Sequence, residues 1–124
     1  MAKHVHFFLE LRNRLKLYHW QTQIYSRHTA VDRILGDLDS KIDEFVEIWS
    51  AKYGRPRMTP TTRTLTINNL TDKQAVSCVK DAIEYLIGPL TATLSVKKDS
   101  DLANIRDEMI GSLNQLLYLF TLRG

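Results

Sequence analysis

Four side chains of metal-ligand type, His28, Asp32, Asp43 and Glu47, stand symmetrically about the point between Asp37 and Leu38 in the sequence. On an α-helix, offsets of four and eleven residues return to nearly the same face, so His28 with Asp32, and Asp43 with Glu47, form two chelating pairs. The pairs lie about 16 Å apart along the helix axis, too far for one ion to join them. A second copy of the helix, packed antiparallel through a two-fold axis at that midpoint, brings His28 and Asp32 against Glu47 and Asp43 of the other copy. Gly36 lies beside the axis and lets two backbones approach, although it costs a helix interior roughly 1 kcal/mol against alanine. Imidazole and carboxylate ligands in this mixture suit Fe(II), Mn(II) or Zn(II) by ligand type.

A third element supplies another histidine. His19 sits near the end of the preceding helical stretch and His28 near the start of the next, across a short turn, so the two imidazoles are expected to be neighbours. The plainer reading of His19 is a hydrogen-bonded core histidine. The plainer reading of Asp32, Asp39, Asp43 and Glu47 is a solvated acidic helix face.

The elements that must position these groups are helical nearly throughout, with strand-like alternation only around Thr64 to Ile67. The first helix is expected from about His4 to Gln23, burying Phe8, Leu11, Leu15, Tyr18 and Thr22 on the stripe that carries His19. After a tight turn near Tyr25, with Ser26 as N-cap, a second helix over about Arg27 to Tyr53 folds back and buries Val31, Leu35, Leu38, Ile42, Phe45 and Trp49. The four ligand-type residues then lie on the flank of that core. Gly54 stops the helix, and the stretch from Arg55 to Leu70, with Pro56 and Pro60, is longer than a hairpin needs. Such a length permits the long crossover of ferritin-like bundles. Thr71 to Gln74 has the capping-box pattern that opens a third helix, with Val79, Ile83, Leu86, Ile87 and Leu90 inward. Gly88-Pro89 should kink it. Asp99 or Ser100 caps a fourth helix bearing Leu102, Ile105, Met109, Leu113, Leu116 or Leu117, and Phe120.

With 124 residues, 44% hydrophobic and 25% charged, the chain is expected to form one all-α four-helix-bundle domain over residues 1–124. No apolar run reaches membrane-spanning length, and the first residues lack a signal-peptide pattern, so a soluble cytoplasmic protein without a membrane partner is expected. The single Cys78 agrees with a reducing compartment. Net charge is +3, and Lys52, Arg55, Arg57 and Arg63 cluster in one loop. That patch could contact phosphate or DNA, against the plainer reading of a solvated loop.

Tyr18-His19-Trp20, followed by His28, Asp32, Asp43 and Glu47, resembles the Dps-type mini-ferritins, in particular small relatives from phages and large DNA viruses. The resemblance covers residues 11 to 50 well and the rest as a four-helix pattern. It implies that His19, His28 and Asp32 are metal ligands from one subunit, that Asp43 and Glu47 come from its two-fold mate, and that Trp20 is the aromatic beside the iron. It further implies a homo-oligomer built on a two-fold dimer, up to a twelve-subunit shell, in the host cytoplasm or a virion.

The function expected on these grounds is a ferroxidase that binds Fe(II), oxidises it with peroxide or dioxygen and stores the ferric product. The competing expectation is a non-enzymatic bundle serving as a structural or interaction protein, virion- or DNA-associated, whose acidic face is a metal-stapled or vestigial dimer contact.

Overall fold

The computed structural model describes residues 1–123. Four α-helices make up the chain: α1 Ala2–Gln21, α2 Tyr25–Tyr53, α3 Asp72–Tyr85 and α4 Ser100–Phe120. No strand occurs among the described residues. The alternating stretch at Thr64 to Ile67 instead lies extended along α1, where side chains take up its backbone groups. His6 Nε2 donates to the Thr64 carbonyl (3.0 Å), Arg14 Nε donates to the Thr66 carbonyl (3.1 Å) and Glu10 accepts from the Thr66 amide (2.8 Å). Further on, Gln21 donates to the Asn69 side chain and accepts from the Leu70 amide.

The connection therefore follows α1 from its first turns to its last. His4 at the start of α1 packs against Trp49 near the end of α2 and Tyr85 at the end of α3. Tyr18 near the end of α1 meets Asp72 at the start of α3 and Phe120 at the end of α4. Hence α1 runs antiparallel to α2 and α3, while α2 and α3 point the same way. A short loop could not join two helices in that arrangement.

The core forms where the sequence places its apolar stripes. Phe8, Leu15, Tyr18, Val31, Ile34, Leu38, Phe45, Leu86, Leu90, Leu102, Met109, Leu113 and Leu116 are fully buried. Each large apolar side chain so enclosed contributes about 1.5 to 3 kcal/mol by leaving water. Ile42 and Trp49 only border this core. Ile87, expected inside, is exposed because Leu86–Leu90 form a π-helical turn around Pro89, which rotates the register before a 3-10 turn at Thr91–Thr93.

Two helix ends behave as the sequence predicts. Thr71 and Gln74 make both bonds of the capping box at α3, and Gly54 ends α2 at φ 103°, a conformation that favours glycine. Two others differ. Ile24, not Ser26, precedes α2, and the Thr22 hydroxyl accepts from its amide (3.2 Å). With the helix begun at Tyr25, Ser26 lies inside the first turn, and its hydroxyl is buried without a hydrogen-bond partner among the described residues. Asp99 does stand at the start of α4 but turns away from the helix amides. It accepts instead from the Ser95 amide (2.8 Å) and the Tyr53 hydroxyl (2.5 Å), with Lys52 at 3.4 Å.

Candidate metal site at the α1–α2 turn

The three-residue link between α1 and α2 brings His19 and His28 face to face. Their rings stack at 3.9 Å between centroids and 12° between planes. Each ring is fixed by the other residue's backbone: His19 Nδ1 donates to the His28 carbonyl (2.6 Å), and His28 Nδ1 donates to the His19 carbonyl (2.7 Å). A carbonyl only accepts, so Nδ1 carries a proton in each ring, which leaves Nε2 as the nitrogen that can offer a lone pair. Metal-binding histidines are commonly oriented by such a bond from the non-ligating nitrogen.

Beneath the pair, a polar network clamps the turn to the rest of the bundle. The Tyr18 hydroxyl (2.6 Å) and the Thr22 hydroxyl (2.9 Å) both donate to Asp72 Oδ1. Arg27 Nη1 donates to the Tyr18 oxygen (2.9 Å) and to the Asp72 carbonyl (2.7 Å), and its guanidinium lies 4.4 Å from the Phe120 ring centre. These contacts join all four helices beside the histidines. The Tyr18 and Thr22 hydrogen bonds hold the Asp72 carboxyl below its ordinary range, with Arg27 acting in the same direction against the cost of burial. Burial and the bond to Asp72 push the Tyr18 phenol up.

Asp32, one turn after His28, is exposed, and its carboxylate oxygen lies 3.9 Å from His19 Nε2. That is beyond hydrogen-bond reach. Two bonds of about 2.1 Å to a shared ion span roughly 3 to 3.5 Å at octahedral to tetrahedral angles, so sharing one requires the exposed Asp32 carboxylate to close in by about half an ångström. The stacked rings cannot chelate one ion together, because each lone pair lies in its own ring plane and the planes are nearly parallel. The two rings thus offer two separate nitrogen donors rather than one chelate.

Asp43 and Glu47 lie further along α2 and are exposed. They do not join His19, His28 and Asp32 within one chain. Among the described residues, no group of three or more His, Cys, Asp or Glu side chains is close enough to hold a metal ion. Gly36 is exposed, and nothing stands within 4 Å of where its Cβ would be, so the α2 face between the two carboxylate pairs is open. The expected flank position is met by half-buried His28, whereas all three carboxylates face solvent.

Trp20 is placed differently from expectation. It is 66% exposed with Lys16 Nζ 5.3 Å from its ring centre. Its helical position one residue beyond His19 turns it by about 100° from the face His19 uses. The aromatic beside the histidines is Tyr25, whose ring centre lies 6.3 Å from that of His28. The sequence signal for it was available: Tyr25 precedes His28 by three residues, one helical turn.

A family model described as "Family of unknown function (DUF5856)" matches residues 19–120. No curated protein and no solved structure matches the chain. The resemblance to the Dps-type mini-ferritins is therefore corrected: the family that matches is a different one. The shell, the viral kinship and the role for Trp20 that followed from the resemblance lose their ground with it. What remains for His19, His28, Asp32, Asp43 and Glu47 is their own geometry.

Proposed function

The chain belongs to DUF5856, a family of unknown function, and for it we propose ferrous-ion binding and oxidation at a site shared by two copies of α2. The observation that carries this reading is the 3.9 Å gap between His19 Nε2 and Asp32, combined with two imidazoles whose Nδ1 protons are already committed to carbonyls. One ion takes His19 and Asp32, and a second takes His28. Asp43 and Glu47 of an antiparallel second copy complete both, because one chain leaves the ligand sets too small. The topology supports this use, since bundles with one long crossover, the arrangement called ferritin-like, commonly build metal sites from facing helices.

The chemistry follows from the ligands. Carboxylates stabilise the higher charge of the ferric ion and so favour loss of an electron. Two ferrous ions give up one electron each, and peroxide takes both electrons and two protons to leave as two waters. Dioxygen serves as the alternative acceptor. Zn(II) and Mn(II) fit the same donor atoms. Tyr25 is the aromatic placed to intercept stray oxidising equivalents.

The test supplies anaerobic protein with a few equivalents of ferrous ion, then peroxide, and follows ferric absorbance together with light scattering. The reading expects uptake, rapid oxidation and a dimeric mass. Oxidation no faster in wild type than in Asp43→Ala/Glu47→Ala, or a strict monomer under all metal loads, overturns it.

A further inference from the structure

The loop that leaves the end of α2 carries three arginines that no ion pair engages among the described residues. From Ile48 to Thr71 the sequence contains no acidic residue. Arg55, Arg57 and Arg63 in this stretch are exposed, and none makes an ion pair among the described residues. Arg55 shares an open groove with Glu47 without pairing to it. Lys52 is different: its ammonium is taken by Asp101 (2.6 Å) and Asp99 (3.4 Å). The same ammonium donates to the Lys98 carbonyl (2.7 Å).

The part of the loop around Arg63 is pinned by hydrogen bonds. The Thr59 amide donates to the Thr62 hydroxyl (2.8 Å), and the Arg63 amide donates to the Thr59 carbonyl (3.0 Å). Just beyond, Thr64 and Thr66 are tied to His6, Glu10 and Arg14 of α1. A surface held in this way loses little conformational freedom on binding.

We propose that this surface binds the phosphodiester backbone of nucleic acid without selecting bases. Guanidinium groups match phosphate oxygens in pairs and hold a phosphodiester without reading its bases. The cations ride on loops, with no free amphipathic helix to lie in a bilayer, which favours nucleic acid over an anionic membrane. The inference is independent of the metal site, since none of its cations is a ligand there.

The test is fluorescence anisotropy of a labelled mixed-sequence DNA duplex of about 20 base pairs, titrated with the full chain at several salt concentrations. Each phosphate neutralised contributes about 0.9 to the slope of log affinity against log salt. Arg55→Gln/Arg57→Gln/Arg63→Gln is expected to weaken binding at least about tenfold at low salt and to reduce that slope by about 2.7. The side chains of those arginines make no hydrogen bond or ion pair among the described residues, so circular dichroism should be unchanged. The control of equal charge, Lys16→Gln/Lys73→Gln/Lys80→Gln, is expected to stay within about twofold of wild type. Equal losses in both triple variants, absence of binding at about 50 mM salt, or binding to phosphatidylserine vesicles but not to the duplex would each overturn the proposal.

Discussion

His19 and His28 hold each other through the backbone: each donates its Nδ1 proton to the other's carbonyl, at 2.6 and 2.7 Å, with the rings stacked between. Breaking one member should release both. His28→Gln is expected to loosen the α1–α2 turn as well as to remove a ligand, whereas Asp32→Asn removes a ligand from an exposed position and leaves stability within about 0.5 kcal/mol. Urea denaturation of the two variants, compared with their metal affinities, separates the effects.

The clamp below that pair makes its own prediction. Tyr18 is fully buried, and its hydroxyl joins Asp72 to Arg27. Tyr18→Phe keeps the ring against Phe120 but leaves two charged groups short of a partner, at a cost of about 1.5 to 3 kcal/mol. Thermal melting measures it. Histidine ring resonances should also shift, since the turn is anchored through this network.

Ser26 offers the opposite sign. Its buried hydroxyl has no partner, so Ser26→Ala removes an unsatisfied polar group and also raises helix propensity. Stability should increase by about 1 kcal/mol. An equilibrium urea titration that finds the variant less stable than wild type would show that the hydroxyl is in fact solvated.

Acid should weaken the far end of the bundle before it touches the carboxylates there. His4 is buried, with Nδ1 bonded to the Tyr85 hydroxyl (2.7 Å) and Nε2 to Thr93 Oγ1 (2.9 Å). Burial, aided by the positive N-terminus and Lys3, lowers its pKa from 6.5 to about 4. Between those values the unfolded chain binds a proton that the folded chain refuses, so stability rises with pH across the window and falls on acidification. The loss from pH 7 to 4.5 attributable to His4 is about 2 kcal/mol after allowance for screening. His4→Gln should flatten that slope when unfolding is measured at both pH values.

Most of the helical frame could be read from periodicity and from end signals such as the Thr71–Gln74 box and Gly54, because those signals are local. The start of α2 could not, because it depends on the Thr22 hydroxyl reaching the Ile24 amide across the turn. The inward face after Ile83 was misjudged because a π-helical turn shifts register by one residue, which fixed 3.6-residue spacing does not anticipate. At the site, proximity of His19 and His28 followed from the shortness of the turn. Their reciprocal carbonyl bonds did not, since those depend on where backbone oxygens point. Trp20 was assigned through a family resemblance that does not hold, and helix geometry alone would have favoured Tyr25.

In the proposed site, His19 and Asp32 share an ion that leaves the Nδ1 locks in place. Anaerobic titration with Co(II), followed by its visible absorption and by equilibrium dialysis with Fe(II), tests this most directly. Saturable binding is expected in wild type, weakened at least about tenfold in both His19→Gln and Asp32→Asn, with Asp43→Ala/Glu47→Ala reducing binding and dimer mass together. No saturable binding, or affinity unchanged in Asp32→Asn, would contradict it.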